Sequence, residues 1–217
     1  LLLALVLVTP LCAAPPAFDR EDILVADFEG ADYGEWTATG DAFGAAPAKG
    51  TLPGQMHVSG YHGDGLVNSY HNGDRTTGTL TSPPFKIERR YLVFLIGGGG
   101  YADATCMNLL RDGEVVRTAT GPNIEPGGSE ELAPCAWDVT ELSGETVTIQ
   151  IVDRRTGGWG HINVDHIVQS DQKPDIREPQ TRELRLAQRY LLFPIHTGAK
   201  KSQVDLRIGG ANVRQFD

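Results

Sequence analysis

The residues Cys106-Met107-Asn108-Leu109-Leu110, Asp112-Gly113 and Glu114-Val115-Val116-Arg117-Thr118-Ala119 decide the fold. Two runs of strand-forming residues flank an Asp-Gly pair, a strong short-range signal for a two-residue β-hairpin. Upstream, Tyr91-Leu92-Val93-Phe94-Leu95-Ile96 is continuously apolar, as expected of a central strand buried on both faces. Downstream, Thr146-Val147-Thr148-Ile149-Gln150-Ile151-Val152 alternates strictly and should show one face to the core. His161-Ile162-Asn163-Val164-Asp165-His166-Ile167-Val168 alternates too, but Ile162, Val164 and Ile167 are not all in one phase. That mismatch predicts a bulge or a strand end near Asp165-His166. Ile23–Phe28, Leu66–Tyr70 and Gly78–Ser82 add further strand signals. Nothing between residues 22 and 170 has a helical period. Short strands separated by Gly-rich loops predict an all-β fold, an antiparallel jelly-roll β-sandwich over residues 22–170.

Composition agrees. The 217 residues include 26 Gly and 13 Pro, nearly one in five, against about 12% in ordinary chains. With no collagen-like period, that excess means many turns. Hydrophobic residues make up 40% of the chain, enough to bury a core. The 28 acidic and 19 basic residues leave a net charge of −9. An acidic chain without a basic stripe argues against nucleic acid and against anionic membrane surfaces as partners. A neutral polar partner such as a sugar suits this charge.

The chain opens Leu1-Leu2-Leu3-Ala4-Leu5-Val6-Leu7-Val8, followed by Thr9-Pro10 and by Cys12-Ala13-Ala14. Residues 1–14 read as the apolar region and cleavage site of a partial secretory signal, which predicts a secreted or periplasmic protein. The alternative is a buried N-terminal strand. The run is too short to span a bilayer, which takes about 20 residues, so no membrane association is expected after signal removal. Thr9-Pro10-Leu11 lacks the small residue expected beside a lipidated Cys12. Residues 171–182, polar with Pro174 and Pro179, read as a linker. Strand signals resume over 183–217, with Gly209-Gly210 as a hairpin turn, and read as the start of a second β-module. Asn212–Asp217 looks like a strand cut midway, so the chain is expected to be a fragment of a longer protein.

Several stretches resemble a known family. They are Ala26-Asp27-Phe28-Glu29-Gly30 with Tyr33-Gly34-Glu35-Trp36, Gly50–Met56, Gly65–Ser69, Gly78–Phe85 and Thr156–Asp165. Together they resemble the N-terminal β-sandwich of secreted bacterial glycoside hydrolase family 32 proteins, the levanase, inulinase and invertase group. Tyr190–Ile195 and Val213–Asp217 resemble the small module before the catalytic propeller of such proteins. The resemblance implies an accessory fragment of a secreted hydrolase acting on β-fructans (levan, inulin or sucrose). The family's catalytic acids lie in Asn-Asp-Pro, Arg-Asp-Pro and Glu-Cys motifs, and this sequence contains none of the three. No catalytic residue is therefore assigned, and the fragment itself is expected to be non-catalytic. The alternative is a free-standing exported carbohydrate-binding or structural β-sandwich.

The remaining constellations are few. The six histidines show neither His-x-x-x-His spacing nor a partner Cys at zinc spacing, and no Gly-x-Ser-x-Gly occurs. Gly97–Gly100 follows a strand with no helix after it, so it reads as a loop rather than a phosphate cradle. Calcium takes six to eight oxygen ligands. Asp27 or Glu29 with Asp165 or Asp171 could supply a structural calcium site, and solvated acids are the alternative; no cofactor is required. For sugar binding, Trp159 lies between glycines, beside His161 and Asn163 and after Arg154-Arg155. An aromatic face flanked by hydroxyl-reading side chains is what a saccharide site needs; Trp159 as core packing is the competing reading. Cys106 and Cys135 either pair or remain two separate buried thiols.

Overall fold

The computed structural model describes residues 20–174, 176, 183–185, 189–192, 204–208 and 211–216. Its chain forms two compact units, Leu1–Arg177 and Glu178–Asp217, and the break falls inside the stretch read as a linker. The partial signal, Phe193–Ile195 and Gly209-Gly210 lie outside the described residues.

The first unit is an antiparallel β-sandwich. One sheet places β1 (Ile23–Ala26), β13 (Ile162–Ser170), β7 (Tyr91–Gly98) and β11 (Ala133–Asp138) side by side, with β4 (Val67–Asn68) also on β13. The other orders β2 (Thr37–Gly40), β5 (Gly78–Thr81), β12 (Thr146–Asp153), β8 (Thr105–Arg111) and β9 (Glu114–Ala119), with β6 (Phe85–Lys86) also on β12. From β7 onward the chain crosses repeatedly between the sheets, as a jelly roll does. A two-stranded parallel ribbon of β3 (Val58–Ser59) and β10 (Glu130–Glu131) completes the unit. The only helix among the described residues is a 3₁₀ turn at Thr140–Leu142, and none is long and apolar enough to cross a membrane. The second unit contributes a hairpin of β14 (Val204–Ile208) and β15 (Ala211–Phe216).

Side-chain alternation builds the core. Leu92, Phe94 and Ile96 of β7 meet Leu80, Met107, Leu109, Ile149 and Ile151 of the second sheet in one buried cluster. Trp137 belongs to it, its ring 4.7 Å from that of Phe94. The phase mismatch in β13 resolves as a bulge. Register slips between Asp165 and Val168, and His166 takes φ 47°. The extra residue returns Ile167 to the same core as Ile162 and Val164, all fully buried. The outer face of the first sheet is covered by a second cluster of Val58, Leu66, Leu95 and Leu132. The turn at Asp112-Gly113 has φ 52° and 82°, the left-handed values a type I′ hairpin requires.

One expectation changes in detail, and one pair of alternatives is decided. The Gly97–Gly100 run is not simply a loop: β7 continues through Gly98, with Gly97 opposite Asn163 and Gly98 opposite Ile162. Cys106 and Cys135 are separate free thiols on different sheets.

Candidate functional site

The chain leaves β12 through Arg154-Arg155-Thr156-Gly157-Gly158 and enters β13 through Trp159-Gly160-His161. Trp159 itself sits at φ 57° and Gly157 at φ 89°. The loop therefore folds tightly against the sandwich rim, and Gly157 N donates to Asp74 O at 2.8 Å.

His161 is the hub of this rim and is 2% exposed. Its Nδ1 lies 2.7 Å from Asp74 Oδ1. Its Nε2 lies 2.9 and 3.0 Å from the two Glu130 oxygens. Asn163 Nδ2 donates to Glu130 Oε2 at 2.9 Å. Tyr70 stands edge-on to the imidazole at 4.9 Å, and the Trp159 ring lies 5.6 Å away. Burial opposes a charge on His161, but hydrogen bonds and Coulomb attraction to Asp74 and Glu130 outweigh it and raise its pKa to about 9. At neutral pH both ring nitrogens therefore donate, and neither offers a lone pair to a substrate. The arrangement is an internal ion-paired clamp, not a general base.

Asp153, fully buried, lies nearby. Burial raises its pKa to about 7 against the Ser69 hydroxyl, the Arg155 amide and the His161 charge. Its Oδ2 is buried without a partner, as are Asn163 Oδ1 and Arg155 Nε. The Arg155 guanidinium lies over the Tyr101 ring at 3.8 Å.

The structure brings Trp159, His161 and Asn163 together, but as packing. The Trp159 ring is buried at 8% exposure, and its Nε1 donates to Glu125 O at 2.8 Å. Of the two readings of this residue, an open sugar platform and core packing, packing describes its position. Arg154 is exposed, its amide fixed to Ala104 O at 2.7 Å. Asp74 and Glu130, which the sequence did not single out, supply the charges. Their only sequence signal is a carboxylate in a Gly-rich loop, which is not specific.

The four acids read as calcium ligands do other work; Asp171 pairs with the Arg20 guanidinium at 2.6 and 2.8 Å. Both Glu29 oxygens accept main-chain amides of the 62–65 loop, Asp64 N at 3.0 and 3.1 Å and Gly65 N at 2.9 Å. Those bonds hold the Glu29 pKa below its usual range. Asp165 Oδ2 accepts His62 N at 2.7 Å, while Oδ1 is buried and unpartnered. Burial raises the Asp165 pKa to about 6. Asp27 is exposed and accepts the amide of Glu29 at 3.2 Å. Among the described residues no three His, Cys, Asp or Glu side chains converge to hold a metal. Four of their oxygens, both of Glu29 with Asp165 Oδ2 and Asp27 Oδ1, are taken up by main-chain amides. The His62 and His166 rings meet at a tilt of 54°, with centres 4.4 Å apart.

A cleft of about 190 Å³ opens between β1 and β6, away from His161, lined by Leu24, Trp36, Pro83 and Phe85 among others. The Gln169 amide at its wall is already used, accepting from Glu88 N at 2.7 Å and donating to Lys86 O at 2.9 Å.

The sandwich is thus a non-barrel all-β module with a locked polar rim. No family model matches the chain. A protein of Aspergillus rugulosus described as a candidate glycosyl hydrolase, ecdE, is 41% identical over 157 residues. Those residues are 71% of this chain and 22% of that protein, so the chain spans about a fifth of the relative it matches. The K3 cleaved adhesin domain of Lys-gingipain from Porphyromonas gingivalis is a solved structure 14% identical, with TM-score 0.43, covering 68% of this chain and 98% of its own. A family 35 carbohydrate binding module from Clostridium thermocellum is 13% identical, with TM-score 0.35, covering 69% and 97%. The fold assignment rests on the strand order itself.

Proposed function

We propose that this chain is a non-catalytic, carbohydrate-binding accessory part of a secreted glycoside hydrolase that acts on β-fructans such as levan or inulin. The observation that carries the reading is the 41% identity to a protein described as a glycosyl hydrolase. Two further points support it. The buried His161 is committed to Asp74 and Glu130, so these three offer no open acid–base pair of the kind glycosidases use. The Ala26–Gly30, Tyr33–Trp36, Gly65–Ser69 and Gly78–Phe85 stretches resemble the sandwich of fructan hydrolases. Hydrolysis then belongs to a separate catalytic domain, and export to the apolar segment over residues 1–14. The test is incubation of the pure chain with levan, inulin and sucrose, with fructose measured, beside electrophoresis in gels cast with levan or inulin. The expected result is no fructose and retardation in at least one gel. Fructose release abolished by replacing an acid of this chain would overturn the non-catalytic assignment. Free migration in both gels would overturn fructan binding.

A further inference from the structure

The two sheets differ in what covers their outer faces. That of the first sheet lies under the Val58, Leu66, Leu95 and Leu132 cluster. On the second sheet, Leu80, Met107, Leu109, Ile149 and Ile151 point into the core, so their strand neighbours point outward. The ladder pairs those neighbours into a row crossing all five strands. Thr37 is opposite Thr81, Thr81 opposite Gln150, Gln150 opposite Asn108, and Asn108 opposite Thr118. Thr39 and Thr79 pair in the next row, with Oγ1 atoms 2.8 Å apart. Thr37 and Thr118 at the two ends are exposed, and Thr81, Gln150 and Asn108 are half-buried.

We propose that this row is the binding face for an extended, uncharged glycan chain; the inference rests on the carbohydrate-binding reading above and gives it a location. Two observations choose the occupant. The first is charge. The open outward positions of the five strands are Thr, Gln, Asn, Leu and Val115, with no Asp, Glu, Lys, Arg or His, on a chain carrying 28 acidic and 19 basic residues; Cys106 and Val152 at one margin are buried, and the one cation the ladder adds to this face is Lys86 of β6, opposite Thr146 at the far end of β12. Within the row itself a charged partner finds no counter-charge, and one lysine four residues along β12 from Gln150 does not make a charged site. The second is hydrogen-bonding capacity. Gln150 Nε2 donates to Thr81 Oγ1 at 3.3 Å, and Thr118 Oγ1 donates to Asn108 Oδ1 at 2.8 Å. These bonds fix the side chains and use only part of what a hydroxyl or a primary amide can donate and accept. The remainder suits a partner made of hydroxyls. Leu110 and the exposed Val115, opposite each other beside the row, add an apolar strip for the C–H face of a sugar. Five strands about 4.8 Å apart make the row roughly 19 Å long, which suits an oligosaccharide segment rather than one ring.

The test uses the full chain in affinity gels cast with levan, inulin, a neutral non-fructan such as mannan, or the anionic polygalacturonate. The variants are Gln150→Ala with Asn108→Ala, Thr37→Lys at the exposed end, and Arg154→Ala in the Trp159 loop. Thermal melts confirm that each folds. The expected result is retardation by a neutral glycan only, with affinity falling about tenfold in the paired alanine variant, falling in Thr37→Lys, and unchanged in Arg154→Ala. Binding to mannan alone, with the same variant pattern, sustains the face and sinks the fructan assignment. Fructan binding that survives the row variants, or is lost with Arg154→Ala alone, overturns the face and leaves the carbohydrate reading intact. Retardation by polygalacturonate equal to that by a neutral glycan overturns the charge argument. No retardation of the unmutated chain in any gel overturns both readings.

Discussion

Replacing His161 by Gln removes a buried cation from between two carboxylates and leaves the rest of the rim in place. Glu130, its side chain 2% exposed, is then left with no cation beside it. Breaking a buried pair by removing one partner costs about 3–5 kcal/mol, and that is the loss expected below pH 6.5. The pH dependence gives the sharper forecast. The His161 pKa is raised from 6.5 to about 9 in the folded chain. Its contribution to stability is therefore fully present below pH 6.5 and lost as pH rises through 9. At about 1.4 kcal/mol for each factor of ten in proton affinity, the contribution is on the order of 3 kcal/mol. Urea unfolding of both proteins at pH 6, 7.5, 9 and 10 should show the stability difference shrinking by about that amount. Titrations common to both cancel in the comparison. A difference that stays constant from pH 6 to 10 would refute the charged clamp and leave His161 as a packing residue.

Two further outcomes are expected. Asp165→Asn removes a carboxylate whose pKa burial raises from 3.8 to about 6. A raised carboxylate pKa means that folding loses stability as pH rises from about 4 through 6, so the variant should lose less over that window, a difference on the order of 3 kcal/mol between pH 4 and pH 7 melts; identical slopes would contradict it. At Gly121, an added Cβ would lie 2.3 and 2.5 Å from the carbonyl oxygens of Gly98 and Gly97, whereas at Gly113 nothing lies within 4 Å. Gly121→Ala should therefore cost about 1–3 kcal/mol by overpacking and Gly113→Ala only the roughly 1–2 kcal/mol of a left-handed φ, with different unfolding-rate effects because only the first pries β7 from its neighbours.

The elements legible in the sequence are those whose signals are local. The hairpin around Asp112-Gly113 needs two positive φ values that Asp and Gly tolerate, and it forms where expected. The bulge in β13 was legible because three apolar residues in broken phase cannot all face one core without an extra residue, and the register slip supplies it. β11 carries a weaker signal, because Pro134 lies within Ala133–Asp138. It is tolerated because β11 closes the edge of its sheet, where one face of the backbone needs no donor. β10 hid in a Gly-Ser-Glu-Glu stretch that looks like solvated loop. Its Glu130 meets His161 from 31 residues away, and His161 in turn meets Asp74 from 87. No periodicity or spacing within the chain encodes such a meeting. The loop from Arg154 to Asn163 was identified as a site by its residue types, but residue types do not say which way a ring faces.

That difference bears on where a ligand can bind. The Trp159 loop is tied from several sides: His161 to Asp74 and Glu130, Trp159 to Glu125, and Gly157 to the Asp74 carbonyl. Turning the indole outward would break its own hydrogen bond and expose the aromatic pair it makes with His161. Binding through that loop would have to overcome those losses before gaining any sugar contact. The outer row of the second sheet carries no such penalty. Its backbone is held by ladders on both sides except at the edge strands, and its side chains already bond to one another along the row. A surface ordered before the ligand arrives loses little entropy on binding. Preorganisation therefore favours the neutral sheet face over the aromatic loop, although the loop carries the more familiar sugar-binding residue types.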